Sequence, residues 1–199
     1  MGKTLFQAHS VGEQCVIHSS FHTDVPKATY DIVIDPKMAF GTGHHATTSQ
    51  VIEQILEYPI SGKTVIDMGT GTGILSILSA MRGAHSVTGI EIDPAAYTNA
   101  VENIKLNHVD NTVNLILGDA SALAQLPEAD LFIANINRNI ITADIHIFVW
   151  LLKYGGVMVL SGFYEEDLRV ILETGSPLGL VVESHSVRDR WTCLKLRKE

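Results

Sequence analysis

From residue 64 onward the chain alternates two hydrophobic rhythms. Short apolar runs rich in β-branched residues read as strands: TVIDM at 64 to 68, SVTGIEI at 86 to 92, VNLILG at 113 to 118, DLFIANI at 130 to 136 and VMVLSGF at 157 to 163. Between them, apolar positions recur with helical spacing over 72 to 82, 94 to 107, 138 to 153 and 165 to 175. Parallel strands need a long crossover to bring the chain back, so this alternation predicts a parallel sheet covered by helices. Asp93 before Pro94 suits an N-cap followed by a first helical residue. The closing runs LVVESHSV at 180 to 187 and WTCLKLRK at 191 to 198 are separated by Arg188, Asp189 and Arg190 and predict an antiparallel hairpin. The expected fold is therefore α/β, a seven-stranded, mostly parallel sheet with an antiparallel C-terminal hairpin at its edge.

The stretch before residue 60 breaks this rhythm. CVIHSSF at 15 to 21 and YDIVI at 30 to 34 predict short strands, FGTGHHATT at 40 to 48 a polar, glycine-rich loop, and 48 to 57 a helix leading into the first long strand. We divide the chain into a lead-in, residues 1–34, and a catalytic domain, residues 35–199. Phe148, Trp150 and Ile147 read as core on a helix face, and Trp191 as either core or rim.

Composition narrows the class. With 199 residues, 46% of them hydrophobic, the chain suits one compact domain. The longest apolar run, IFVWLL at 147 to 152, is far below membrane-spanning length, and the opening MGKTLFQAHS, with one Lys and no apolar run behind it, leads us to expect no export signal. Two cysteines nearly a chain length apart, Cys15 and Cys193, form no disulfide framework. Reduced thiols and a cytoplasmic location are expected. The formal charge is −8 and no block of Lys or Arg precedes the terminal RKE, so direct nucleic-acid binding is not expected. A basic protein or peptide is the more natural partner. No H-x-x-x-H pair stands on a predicted helix, so no metal site is expected.

Candidate chemistry concentrates at strand ends. In VIDMGTGTG, Asp67 ends an apolar strand and Gly69, Gly71 and Gly73 punctuate the turn into a helix. Glycines let the backbone turn sharply and a ligand approach without a Cβ in the way. A dinucleotide site would show G-x-G-x-x-G facing a pyrophosphate. Here the spacing is G-x-G-x-G behind an acid, which repels a pyrophosphate but suits a ligand bearing an ammonium and a sulfonium. S-adenosylmethionine is such a ligand, and the expected fold becomes the Rossmann-like one of class I S-adenosylmethionine-dependent methyltransferases. Glu91, at the end of the second strand, is either an acceptor for ribose hydroxyls or a solvated strand end. Asp119 is either an adenine contact or a helix N-cap. Asn135 closes the fourth strand in FIANIN, and we place it nearest the chemistry, orienting an amine lone pair toward a methyl group. A polar group at the C-terminal end of four successive strands points to one ligand site.

These residues carry a specific resemblance. DPKMAFGTGHHATT at 35 to 48, DMGTGTGIL at 67 to 75, GIEIDP at 89 to 94, ANI at 134 to 136, LSGF at 160 to 163 and the closing RDRWTCLKLRK together resemble the methyltransferases of ribosomal protein L11. The resemblance covers residues 15 to 198 in order. It implies methyl transfer from S-adenosylmethionine to lysine side-chain amines and an N-terminal α-amine of that protein. It also implies cofactor contacts at Thr48, Gly69, Glu91 and Asn135, and a loop with Phe40 and Thr42 that folds over the cofactor and lines the amine entrance. This chain departs from the pattern at His44 and Ala46, where Thr and Pro are usual, at Glu91 for Asp, and at Asn137 for an apolar residue. The family carries a recognition domain ahead of the catalytic one, for which too few residues precede the loop. Near-normal cofactor binding with weak or undetectable methylation of the intact ribosomal protein is therefore expected. The alternative is a methyltransferase for another protein or a nucleobase amine. Nucleobase enzymes would be expected to place a Pro-Pro-aromatic turn after the Asn, where this chain has Ile136, Asn137 and Arg138.

Overall fold

The computed structural model describes residues 7–37 and 45–199. A small sheet comes first, from strands β1 (His9–Val11), β2 (Cys15–His18) and β3 (Tyr30–Val33). Helix α1 (Ala46–Glu57) then leads into the alternating body. That body runs β4 (Thr64–Met68), α2 (Ile74–Met81), β5 (Ser86–Glu91), α3 (Pro94–Leu106), β6 (Val113–Leu117), β7 (Ala129–Asn135), α4 (Arg138–Leu151), β8 (Leu152–Tyr164) and α5 (Leu168–Gly175). The chain closes with the hairpin β9 (Leu180–Arg188) and β10 (Trp191–Lys198).

The seven long strands form one sheet in the order β6-β5-β4-β7-β8-β10-β9. Strands β6 to β8 are parallel, and β10 runs antiparallel between β8 and β9. The predicted hairpin therefore forms, but its last strand inserts inward and leaves β9 at the edge. Asp189 and Arg190 make the two-residue turn with φ of 51° and 69°, the double positive φ that matches the twist of paired strands. Strand order reverses between β4 and β7. There the helices diverge to opposite faces and leave a crevice beyond the strand C-termini.

Burial explains why the strands were legible. Val65 and Ile133 face one core layer under α1 and α2, while their neighbours Ile66 and Phe132 face the other under α4 and α5. A strand apolar on both faces reads as a continuous run. The small sheet adds Val11, Cys15, Ile17 and Ile32 to the first of these layers, and Ile34, just past β3, joins them. On α4 the buried positions include Ile141, Ile145 and Phe148, and Phe148 stacks on Phe132 at 4.7 Å. Trp150 lies off that stripe and is 64% exposed, so the expectation that it is core is corrected. Cys15 and Cys193 are both free and buried, and burial pushes each thiol up to about 12. Among the described residues no helix is long and apolar enough to cross a membrane.

Candidate functional site

The crevice at the strand-order reversal is a cavity of about 820 Å³. The ends of β4, β5 and β7 contribute Gly69, Thr70, Gly71, Glu91 and Asn135 to its wall, α1 contributes Thr48, and the start of β10 contributes Trp191.

The glycine turn is built by backbone hydrogen bonds. Gly69 and Thr70 both donate to the Ile90 carbonyl, at 2.9 and 3.0 Å. Gly69 has a φ of +75°, and a Cβ there would stand 2.3 Å from Cγ2 of Ile136. Gly71 turns its N–H onto Glu91 Oε2 at 2.8 Å. Glu91 Oε1 accepts from Asp93 N–H at 3.0 Å. The residue is 8% exposed, its carboxylate braced by two amides and open to the cavity. A carboxylate has about four acceptor positions, so lone pairs remain for ligand hydroxyls. Asp93 has a different task, accepting from Ala95 and Ala96 N–H as the N-cap of α3.

Asn135 ends β7 with its Nδ2 donating to Thr48 Oγ1 at 3.3 Å. Its Oδ1 is buried and has no partner among the described residues. The following residue, Ile136, donates its N–H to the Ser161 carbonyl at 3.0 Å and packs between two glycines. Gly162 has a φ of +93°, and a Cβ there would stand 2.4 Å from the Ile136 carbonyl oxygen. Gly69 and Gly162 thus let two strands close on the chain just past Asn135. Asn137, where the family pattern expects an apolar residue, caps α4 by accepting from Ile140 N–H at 3.1 Å. Trp191 stands at the rim, with its ring 4.9 Å from that of His45 and 4.2 Å from that of Tyr164.

Of the residues singled out in the sequence, Thr48, Gly69, Gly71, Glu91 and Asn135 converge on the cavity. Three expected cofactor contacts do not line it. Asp67 is fully buried, and its Oδ2 accepts from Thr70 and Ser76 hydroxyls at 2.6 and 2.7 Å. Gly73 is the N-cap of α2 with a φ of +84°, so its freedom serves the helix start. Asp119 caps a 3-10 turn by accepting from Ser121 N–H at 2.9 Å, the capping role that the sequence offered for it. Phe40 and Thr42 lie outside the described residues. Sequence reasoning assigned no role to Gly162 or Ile136. The LSGF motif at 160 to 163 and the ANI motif at 134 to 136 were their available signals.

Asp67 gives the site a pH signature. Burial pushes its carboxyl up, hydrogen bonds from Thr70 and Ser76 oppose that rise, and the Glu91 carboxylate adds to it. A carboxyl that holds its proton more tightly when folded contributes stability below its ordinary value of 3.8, and that contribution is lost as pH rises through the raised folded value. We expect Asp67→Asn to flatten this fall in stability, read as urea midpoints from the acid range to neutrality. An unchanged slope would mean that Asp67 does not set it.

A family model described as ribosomal protein L11 methyltransferase (PrmA) matches residues 1–199. A protein of Phocaeicola vulgatus named ribosomal protein L11 methyltransferase is 46% identical over 193 residues, covering 97% of this chain and 68% of that one. Its namesake from Bacteroides fragilis is 47% identical, covering 97% of this chain and 69% of that one. A crystal structure of ribosomal protein L11 methylase from Lactobacillus delbrueckii subsp. bulgaricus superposes with a TM-score of 0.88 at 27% identity, over 98% of this chain and 100% of that one. The strand order, the glycine turn and these similarities agree that the fold is that of S-adenosylmethionine-dependent methyltransferases, and that this chain belongs to the ribosomal protein L11 methyltransferase family.

Proposed function

We propose that this chain transfers methyl groups from S-adenosylmethionine to lysine side-chain and N-terminal amines of ribosomal protein L11. The observation that carries the reading is the Asn135 carbonyl oxygen, buried without a partner among the described residues on a side chain that lines the cavity. Leaving such an acceptor unmet costs about 1 to 3 kcal/mol. An amine N–H arriving in the cavity removes that cost, and its acceptance by Oδ1 fixes the direction of the nitrogen lone pair. Thr48 steadies the amide from the other side.

S-adenosylmethionine, when bound, supplies an activated methyl on a positively charged sulfur. The residues present fit it. Glu91, braced by Gly71 and Asp93, would accept the ribose hydroxyls. Gly69 and Gly71 would let its amino-acid end approach the backbone, and buried Asp67 holds the turn in shape through the Thr70 and Ser76 hydroxyls. No nucleophile on the protein is required, because the amine attacks directly. It must first lose its proton, which at pH 7 costs about 4 to 5 kcal/mol for a lysine and about 1 kcal/mol for an α-amine. The rest of the work is in-line positioning, to which proximity contributes about 7 to 11 kcal/mol. The net charge of −8 favours a basic protein as partner. In this proposal residues 1–34 lead into a catalytic domain of residues 35–199.

Calorimetry tests the cofactor assignment: we expect heat of binding with S-adenosylmethionine and none with NAD, and the reverse would overturn it. Glu91→Ala is expected to weaken S-adenosylmethionine binding by about 1 to 3 kcal/mol, the loss of hydrogen bonds to a charged acceptor. Affinity equal to wild type would show Glu91 to be a solvated strand end. Transfer is tested with a tritiated methyl group, which we expect to appear on purified ribosomal protein L11. Label on ribosomal RNA instead would overturn the substrate assignment.

A further inference from the structure

Asn99 and Asn103 on α3 and Asn107 at its C-cap stand one turn apart along a single face, the spacing at which helix side chains align. They are 1%, 0% and 9% exposed, and all three reach the same stretch of backbone. Asn107 accepts from Val33 N–H at 2.9 Å and donates to the Val33 carbonyl at 2.7 Å. Asn103 accepts from Asp35 N–H at 3.1 Å. Asn99 donates to the Asp35 carbonyl at 2.8 Å and accepts from Lys37 N–H at 3.5 Å. Residues 33, 35 and 37 alternate as in an extended strand. The three side-chain amides therefore stand where a neighbouring strand would.

One rung does more. The Nδ2 of Asn103 turns away from this segment and donates at 2.9 Å to the carbonyl of Thr72, inside the glycine turn. One fully buried side chain thus bridges the turn that forms one cavity wall and the segment whose last residue, Lys37, lines another. The third wall, with Ala95, Ala96 and Thr98, belongs to α3 itself. A buried amide is stable in such a place only with its hydrogen bonds made, so a shift of the turn strains the bond to Asp35 and the reverse.

We propose that Asn103 is a positioning residue that couples the glycine turn of the S-adenosylmethionine site to residues 33–37. The inference rests on the function proposed above. Cofactor binding fixes the Thr72 carbonyl, that carbonyl fixes the Asn103 amide, and the amide tightens the segment. Hydrogen exchange at residues 33–37 therefore slows when S-adenosylmethionine is added to the wild-type protein. In Asn103→Ala the cofactor is expected to bind about tenfold more weakly, the scale of one buried hydrogen bond, and its addition no longer slows exchange there. Asn107→Ala also removes buried bonds, one of them to the Asn103 backbone carbonyl at 2.7 Å, but none to the glycine turn and none made by the Asn103 side chain, so it should lower the melting temperature and leave cofactor affinity within about twofold.

Hydrogen-exchange mass spectrometry with and without S-adenosylmethionine, paired with calorimetry on the three proteins, decides the matter. Should Asn103→Ala fail to fold, Asn103→Asp keeps the acceptor toward Asp35 and loses the donor toward Thr72, and the same two changes are expected. Exchange at 33–37 in wild type that ignores the cofactor would overturn the coupling, as would wild-type affinity in the Asn103 variants. Failure of the wild type to bind S-adenosylmethionine at all would overturn the functional reading, and this coupling with it.

Discussion

Asn135→Ala is expected to lower kcat by about 100-fold or more, the scale of removing one preorganised hydrogen-bonding group from a reacting centre, while S-adenosylmethionine affinity changes by less than about threefold. The split follows from where the side chain sits. Its Nδ2 is occupied by Thr48, and its Oδ1, which has no partner among the described residues, is the group left to meet the incoming amine. An interaction made chiefly as the amine is aligned for attack appears in the rate, not in cofactor binding. Stopped-flow or steady-state kinetics at saturating acceptor, with affinity from calorimetry, separates the two. A variant with a normal kcat would remove Asn135 from the reaction. One that lost cofactor binding and rate together would make it a cofactor ligand alone.

Gly162→Ala is expected to destabilise the protein by about 3 to 5 kcal/mol, a cost reached when a left-handed backbone position and a close approach are violated together. The φ of +93° is unfavourable for any side chain, and the clashing atoms are the backbone N, C and O of Ile136, which cannot swing aside. Relief requires β8 to withdraw from the end of β7, breaking the bond from Ile136 N–H to the Ser161 carbonyl. The damage would reach the site, since Ile136 directly follows Asn135. Urea unfolding at equilibrium measures it. A loss below about 1 kcal/mol, the range of an ordinary surface substitution, would show that the two strands are not held at the distance described.

Asn135 and Gly162 stand on either side of what the sequence could tell. The strand ends were legible because strands buried on both faces give unbroken apolar runs, and a polar residue closing such a run is conspicuous: Glu91 after SVTGI, Asn135 after LFIA. Where a side chain turns beyond the strand end is decided by partners distant in sequence or by local capping. Asp67 turns to the Thr70 and Ser76 hydroxyls and Asp119 to its own 3-10 turn, so neither lines the cavity. Local chemistry also moved boundaries. The helix expected from residue 48 starts at Ala46 because the His45 side chain accepts from Thr47 N–H and caps it. The strand β1 is three residues long, too short to show a period. Thr48 came from the resemblance to the family, and its hydrogen bond with Asn135 spans 87 positions of chain. Ile136 between Gly69 and Gly162 is likewise a meeting of three segments that no local pattern encodes.

The cavity at the ends of β4, β5 and β7 is proposed as the place where a methyl group moves to an amine of ribosomal protein L11. Intact-mass spectrometry of purified ribosomal protein L11, incubated with S-adenosylmethionine and either wild type or Asn135→Ala, tests that claim most directly. The account predicts whole methyl-group increments with wild type and almost none in the same time with a variant that still binds the cofactor. Equal increments with both proteins, or none on ribosomal protein L11 or on concentrated lysine peptides with a wild type that binds S-adenosylmethionine, would contradict it.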